Sequence, residues 1–238
     1  MGEDVAATNP ALLSLYDQIL SRTLLHLQDH RFQVDNFLSA LESDTRRGLT
    51  LLFRPPQEFQ AKLSSILAEL QAVCPGQYAY PSSDWHTTVL SIISCFPRFQ
   101  LDHIDAKTYC EVLTQCLKAI PPFKVELRGL TCSAGAVMIQ GFFTPGTLNV
   151  IRQNIRQAFQ STDLHQTIDQ RYVLETAHIT ILRFQQPVTN PKPLLDYIQQ
   201  YRNTHYGTFT VNTLELVYND WYQRQSSTTP IQSFPLTN

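Results

Sequence analysis

This 238-residue sequence contains no CxxC pair, no apolar run long enough to span a bilayer, no HExxH-type metal signature and no large excess of charge. Each absence excludes a class of protein. Five cysteines, Cys74, Cys95, Cys110, Cys116 and Cys132, are an odd number without zinc-type spacing, so they read as reduced thiols filling small core positions. The start, Met1-Gly2-Glu3-Asp4, is acidic where a secretory signal is basic and then apolar, and Ala6 stands where a myristoylation motif has Ser or Thr. A cytoplasmic protein without a membrane partner is therefore expected. The formal net charge of -2 and pI of about 6.4 argue against long duplex DNA as a ligand. With 43% hydrophobic and 16% charged residues the composition is that of a globular chain, long enough for one large domain or two small lobes.

What is present is an alternation of helical and strand patterns. Asn9 and Pro10 open a helix that runs to about residue 29, and a short apolar piece at 32–38 follows. Residues 1–47 thus read as an N-terminal helical extension. From Gly48 the pattern turns to strand, Leu49-Thr50-Leu51-Leu52-Phe53, then to a helix over 57–73 with Phe59, Leu63, Ile66, Leu67 and Leu70 on one face. A strand is predicted over 85–95, a helix over 106–119, and a hairpin of strands at 123–131 and 137–143 around Gly135. A helix over 145–159, a strand over 177–184, a short helix over 193–201 and one long strand over 209–218 complete the set. The Ser/Thr/Pro-rich residues 226–238 read as a loose tail. Strand, helix, strand, helix, strand occurs twice, without a close sequence repeat. Two similar α/β lobes over residues 48–225, meeting near the hairpin at 130–137, are expected to face each other across a cleft.

Two strands carry the same polar pattern. His86-Thr87-Thr88-Val89 and His178-Ile179-Thr180-Ile181 each place a threonine two residues after a histidine, on the same strand face. Their separation, 178 - 86 = 92 residues, is about one lobe. A lone strand histidine is most often hydrogen-bonded to a neighbouring carbonyl, and a lone strand threonine reflects β propensity. The pairing in equivalent places outweighs both explanations. A third tetrad, His165-Gln166-Thr167-Ile168, lies in a polar stretch without strand pattern and is set aside.

The two strands resemble the histidine motifs of the 2H phosphoesterase superfamily, which includes bacterial 2'-5' RNA ligase-like proteins and cyclic phosphodiesterases. Arg183, five residues after His178, fits the second motif; Thr87 replaces the usual apolar residue of the first. The resemblance covers about residues 48–225. It implies an α/β (α+β) fold of two pseudo-symmetric lobes with antiparallel sheets facing a central cleft, and His86 and His178 as catalytic acid and base. Thr88, Thr180 and Arg183 are then phosphate-binding residues, and no metal or cofactor is required. The chemistry agrees, because phosphodiester cleavage needs a base, an acid and hydrogen-bond donors for the phosphate oxygens.

The expected activity is metal-independent cleavage of a 2',3'-cyclic phosphate or 2'-5' phosphodiester of a nucleotide or RNA end, by a monomer. Two alternatives are a nucleotide-binding module without turnover and 2'-5' end-joining by the reverse reaction. Phe53, Tyr80, Tyr218 and Tyr222, with Trp221, are candidates for stacking on a base. Trp85 points away from His86. Strand parity sets Arg183 off the face of His178 unless the strand bends. A metal site built on Asp84 and Glu175 is the chemical rival.

Overall fold

The protein is described by a computed structural model for residue 5 and residues 9–29 and 31–237, with the side chains of residues 27 and 28 outside the description. The sequence readings at Gly2 and Ala6 lie outside these residues. Among the described residues no helix is long and apolar enough to cross a membrane.

Among the described residues, nine strands and five helices follow in chain order: α1 (Pro10–Gln28), β1 (Arg46–Phe53), α2 (Gln60–Val73), β2 (Tyr78–Ala79), β3 (Thr87–Pro97), α3 (Ala106–Leu117), β4 (Phe123–Ser133), β5 (Ala136–Phe143), α4 (Leu148–Gln160), β6 (Ile179–Arg183), α5 (Lys192–Gln200), β7 (His205–Val211), β8 (Thr213–Asp220) and β9 (Thr229–Pro235). Eight strands form a continuous antiparallel order, β7-β4-β5-β6-β3-β1-β8-β9, with β2 on β6. Four strands belong to each lobe. Between β3 and β6 the described residues make one register pair, Thr87 with Ile179, so the lobes join at a single step. Each histidine immediately precedes one member of that pair.

The lobes are interleaved in sequence rather than consecutive. The lobe holding β3, β1, β8 and β9 is packed by α3 and α4, although α4 lies in the second half of the chain. α2 crosses the other way and packs with α5, which lies on β4: Tyr197 donates its hydroxyl to the Ile66 carbonyl at 3.1 Å, and Phe59 meets Phe209 edge-on at 5.3 Å. The strand expected over 209–218 is correspondingly two strands. It breaks at Asn212, because β7 pairs with β4 in one lobe and β8 with β1 in the other. A run of β-forming residues does not reveal that its partners change midway. The expected loose tail is also corrected, since residues 229–235 form β9 against β8, from Thr213 opposite Pro235 to Tyr218 opposite Thr229.

The N-terminal helix is built into the body. Asn9 caps it, accepting from the Leu12 amide at 3.2 Å and donating to the Phe143 carbonyl at 2.9 Å. Leu12, Tyr16, Leu20 and Thr23 form its buried stripe at helical spacing. Tyr16 uses its full hydroxyl valence: it donates to the Gly141 carbonyl at 3.1 Å and accepts from the amides of Gly141 and Ala177, both at 3.2 Å. Gly141 is needed for this approach, because a β-carbon there would collide with the Ala177 carbonyl oxygen. α1 therefore braces the residue that precedes His178.

Candidate active site

The two histidine strands line one cavity of about 490 Å3 at the junction between the lobes. His86, Thr88, His178, Thr180 and Arg183 all contribute to its wall. Thr87 and Ile179, on the opposite face of the pleat, are fully buried. Period-two alternation thus directs the polar residues into the cleft.

Both strands then acquire an extra residue. In β3, Leu90 and Thr88 face adjacent residues of β1, Leu51 and Leu52, so Val89 is unopposed. In β6, Leu182 and Thr180 face Val137 and Met138 in succession, leaving Ile181 unopposed. Each bulge lies three residues after its histidine and reverses the parity beyond it. Arg183 is returned to the cleft face, against the expectation from simple alternation. Ser91, its counterpart five residues after His86, also lines the cavity. Arg183 is held there by the Tyr80 hydroxyl at 3.2 Å from its Nε and by Asp35, 3.8 Å from its Nη1.

The imidazoles are oriented from equivalent positions, but by different groups. His86 Nδ1 lies 2.8 Å from the carbonyl oxygen of Asp84. A carbonyl only accepts, so Nδ1 carries the hydrogen and Nε2 keeps its lone pair. His178 Nδ1 lies 2.8 Å from the Thr176 hydroxyl, which can either accept or donate. His86 is therefore fixed in a base-competent tautomer, whereas His178 can hold its proton on either nitrogen. Burial pushes both rings down to about 4, Asp84 offsetting part of this at His86; the charge of His86 and then that of Arg152 depress His178 further. Both are neutral at pH 7. The Thr88 and Thr180 hydroxyls have no protein partner among the described residues, which leaves them available as donors.

Beneath the cleft lies a group that sequence reading missed. Arg152 on α4 has no exposed surface, and joins the two histidine strands through backbone oxygens. Its Nε donates to Val89 at 2.8 Å, and its Nη2 donates to Thr88 at 3.1 Å and to Thr176 at 2.6 Å. The signal was its place on the apolar face of α4, with Leu148, Ile151, Ile155 and Phe159.

The aromatic candidates divide. Tyr80 lines the cavity and serves Arg183. Phe53 is a core residue, its ring edge-on to Phe123 at 6.0 Å and to Phe209 at 6.2 Å. Tyr218 packs on Phe99 and donates to the Phe99 carbonyl at 2.8 Å, and Tyr222 is buried beside Arg46 and Tyr78. None of these three lines the cavity, so none is placed to stack on a base there; Trp221 and the exposed Tyr172 do line it. Trp85 is buried as expected, donating to the Tyr80 carbonyl at 3.1 Å.

Asp84 and Glu175 are not brought together as a ligand set. The Asp84 carboxylate accepts from the Ser83 hydroxyl at 2.8 Å and the Gln225 amide at 3.0 Å, tying down the turn after β8, while Glu175 lines the cavity. Among the described residues no group of three His, Cys, Asp or Glu side chains is spaced to hold a metal ion.

No family model matches the sequence, and no curated protein matches it. Solved structures do match the fold. TT0787 of Thermus thermophilus is 15% identical with a TM-score of 0.59, over 79% of this chain and 97% of that one. A protein described as a phosphoesterase is also 15% identical with a TM-score of 0.54, over 81% and 99%. E. coli LigT complexed with 3'-AMP is 16% identical with a TM-score of 0.51, again over 81% and 99%. This chain has the fold of these neighbours.

Proposed function

We propose that the protein is a metal-independent phosphodiesterase that opens a 2',3'-cyclic phosphate, or cleaves a 2'-5' phosphodiester, at a nucleotide or RNA end. The observation that carries this reading is the symmetric pair of imidazoles on one cavity, each oriented through Nδ1 by the residue two positions earlier. LigT, a protein of the same fold, has been seen with 3'-AMP, a nucleotide carrying its phosphate on the ribose ring.

His86 is assigned as base and His178 as acid in the hydrolytic direction. Water adds to phosphorus as His86 Nε2 takes its proton; the bond from phosphorus to the ribose oxygen breaks as His178 Nε2 protonates that oxygen. Thr88 and Thr180 donate to the non-bridging oxygens, and Arg183 supplies positive charge for the phosphorane-like transition state. In the opposite direction the roles exchange.

A neutral His178 is a poor acid, so the ring takes up a proton from solvent as the substrate binds. A phosphate anion beside the ring favours imidazolium and opposes the burial that pushes it down. The sign of the pH dependence follows. kcat/KM reports the free protein, in which the ring needed as acid is protonated only near pH 4, so it rises as pH falls from 8 towards 5. kcat reports the complex, whose acid limb and alkaline limb both lie at higher pH. Measuring the two profiles on a 2',3'-cyclic mononucleotide tests this: a kcat optimum displaced to the alkaline side of the kcat/KM optimum is expected. Superimposable profiles centred above pH 7 would contradict the coupling of proton uptake to phosphate binding.

A further inference from the structure

A second cavity, of about 500 Å3, adjoins the first and is not used by the two-histidine chemistry. Ser94, Cys95, Thr167, Arg171 and Trp221 line both. Its remaining wall includes Arg46, Phe96 and His165, the last from the tetrad set aside as a catalytic motif. No Asp or Glu lines it among the described residues.

The Trp221 indole is part of its wall. The Arg46 guanidinium lies over this ring at 4.8 Å and that of Arg171 at 4.3 Å. Arg46 is neutralised by the buried Asp44, 2.7 Å away, but Arg171 is exposed and has no hydrogen-bond or ion-pair partner among the described residues. With Arg46 compensated by Asp44, the charge of Arg171 is left for an anionic ligand to neutralise. Phe96, 38% exposed, adds a second aromatic surface. An uncompensated arginine beside aromatic faces is the combination that binds a nucleotide through its phosphate and its base.

We infer that this second cavity is a subsite for the nucleotide next to the one undergoing cleavage, so that the preferred substrate is an oligonucleotide end of at least two residues rather than a mononucleotide. The inference rests on the phosphodiesterase reading for its substrate class. Each cavity is of a size suited to one small-molecule ligand, and their common wall places them side by side. The neighbouring nucleotide contributes one more phosphodiester to Arg171 and one more base to Trp221 and Phe96.

The test is equilibrium binding, which does not require turnover. Calorimetric titration compares a 3'-phosphorylated dinucleotide with the 3'-mononucleotide on wild-type protein, Arg171→Ala, Trp221→Phe and His178→Ala, at fixed salt. The dinucleotide is expected to bind about 10- to 100-fold more tightly to wild type. Most of that gain is lost in Arg171→Ala and retained in His178→Ala. Trp221→Phe, which keeps an aromatic face and the fold, retains part of the gain. Equal affinity for the two ligands, or a length preference that survives Arg171→Ala, overturns the subsite. Turnover of cyclic mononucleotides measured alongside separates the two readings: activity without length preference removes only the subsite, and absence of activity on mono- and dinucleotides alike removes the enzyme.

Discussion

Alanine at His86 or at His178 lowers turnover of a 2',3'-cyclic nucleotide by about 100- to 10,000-fold, the range for loss of a positioned proton-transfer group. The fold survives either change, because neither ring is part of the sheet: each precedes its strand and makes one hydrogen bond through Nδ1. Removing a ring held neutral by burial also removes an acid-sensitive group from the folded state. The unfolded imidazole titrates near 6.5 and the folded one near 4, so the unfolded chain binds more protons between those values and stability falls as pH falls through them. The variants are therefore no less stable than wild type at pH 5.

The two substitutions are not equivalent. On the proposed assignment His86 is the base and His178 serves the leaving oxygen. A phosphodiester with a p-nitrophenol leaving group needs no acid, and on it the defect of His178→Ala shrinks while that of His86→Ala persists. Equal defects on both leaving groups would reverse or remove the assignment. Full activity in both single variants would remove the two-histidine mechanism.

Replacing Arg152 with methionine costs about 3–5 kcal/mol of stability and abolishes activity in the fraction that remains folded. Methionine fills much of the volume but leaves the oxygens of Thr88, Val89 and Thr176 without their charged donor. Two of those residues belong to the site directly: Thr88 lines the cavity, and Thr176 orients His178. Relief of the buried charge acts in the opposite sense, since burial already pushes the guanidinium down to about 10, and its Nη1 has no partner among the described residues. Three charge-assisted hydrogen bonds outweigh that relief, because they also hold β3 and the residues before β6 at one separation. Arg152→Lys keeps a charge but not the fork, and falls between wild type and methionine. Urea unfolding monitored by tryptophan fluorescence measures the order, and an unchanged midpoint in Arg152→Met would show that α4 does not clamp the strands.

Much of the site was legible because strand alternation is a simple rule. His86 with Thr88, and His178 with Thr180, share a face whatever the rest of the fold does. What alternation could not supply was the extra residue at Val89 and Ile181, since a bulge leaves no mark in a run of apolar and β-branched residues. Arg183 was therefore singled out through its motif and misplaced by its parity. Phe53 and Tyr218 were misplaced for a related reason: they are strand residues, and pattern alone does not distinguish a ring in the core from one in a cleft.

At the level of the fold, the helices and most strands follow from periodicity and their proline and glycine stops. The interleaving of the lobes does not. It depends on which sheet each strand joins, a long-range choice hidden where β7 passes into β8 across the single residue Asn212. β9 was missed because its polar and proline-containing sequence matches a tail; it is an edge strand, paired with β8 at the end of the sheet. Arg152 broke the rule that a helical arginine faces water, and its carbonyl partners come from segments 24 to 64 residues away in sequence.

The central claim is that two imidazoles perform the chemistry unaided. It is tested most directly by the initial rate of purified wild-type protein on 2',3'-cyclic mononucleotides and dinucleotides in excess EDTA. The account predicts turnover to a nucleotide with a single ring phosphate, at a rate unaffected by the chelator. No turnover in EDTA, with activity restored by an added divalent metal, would contradict it.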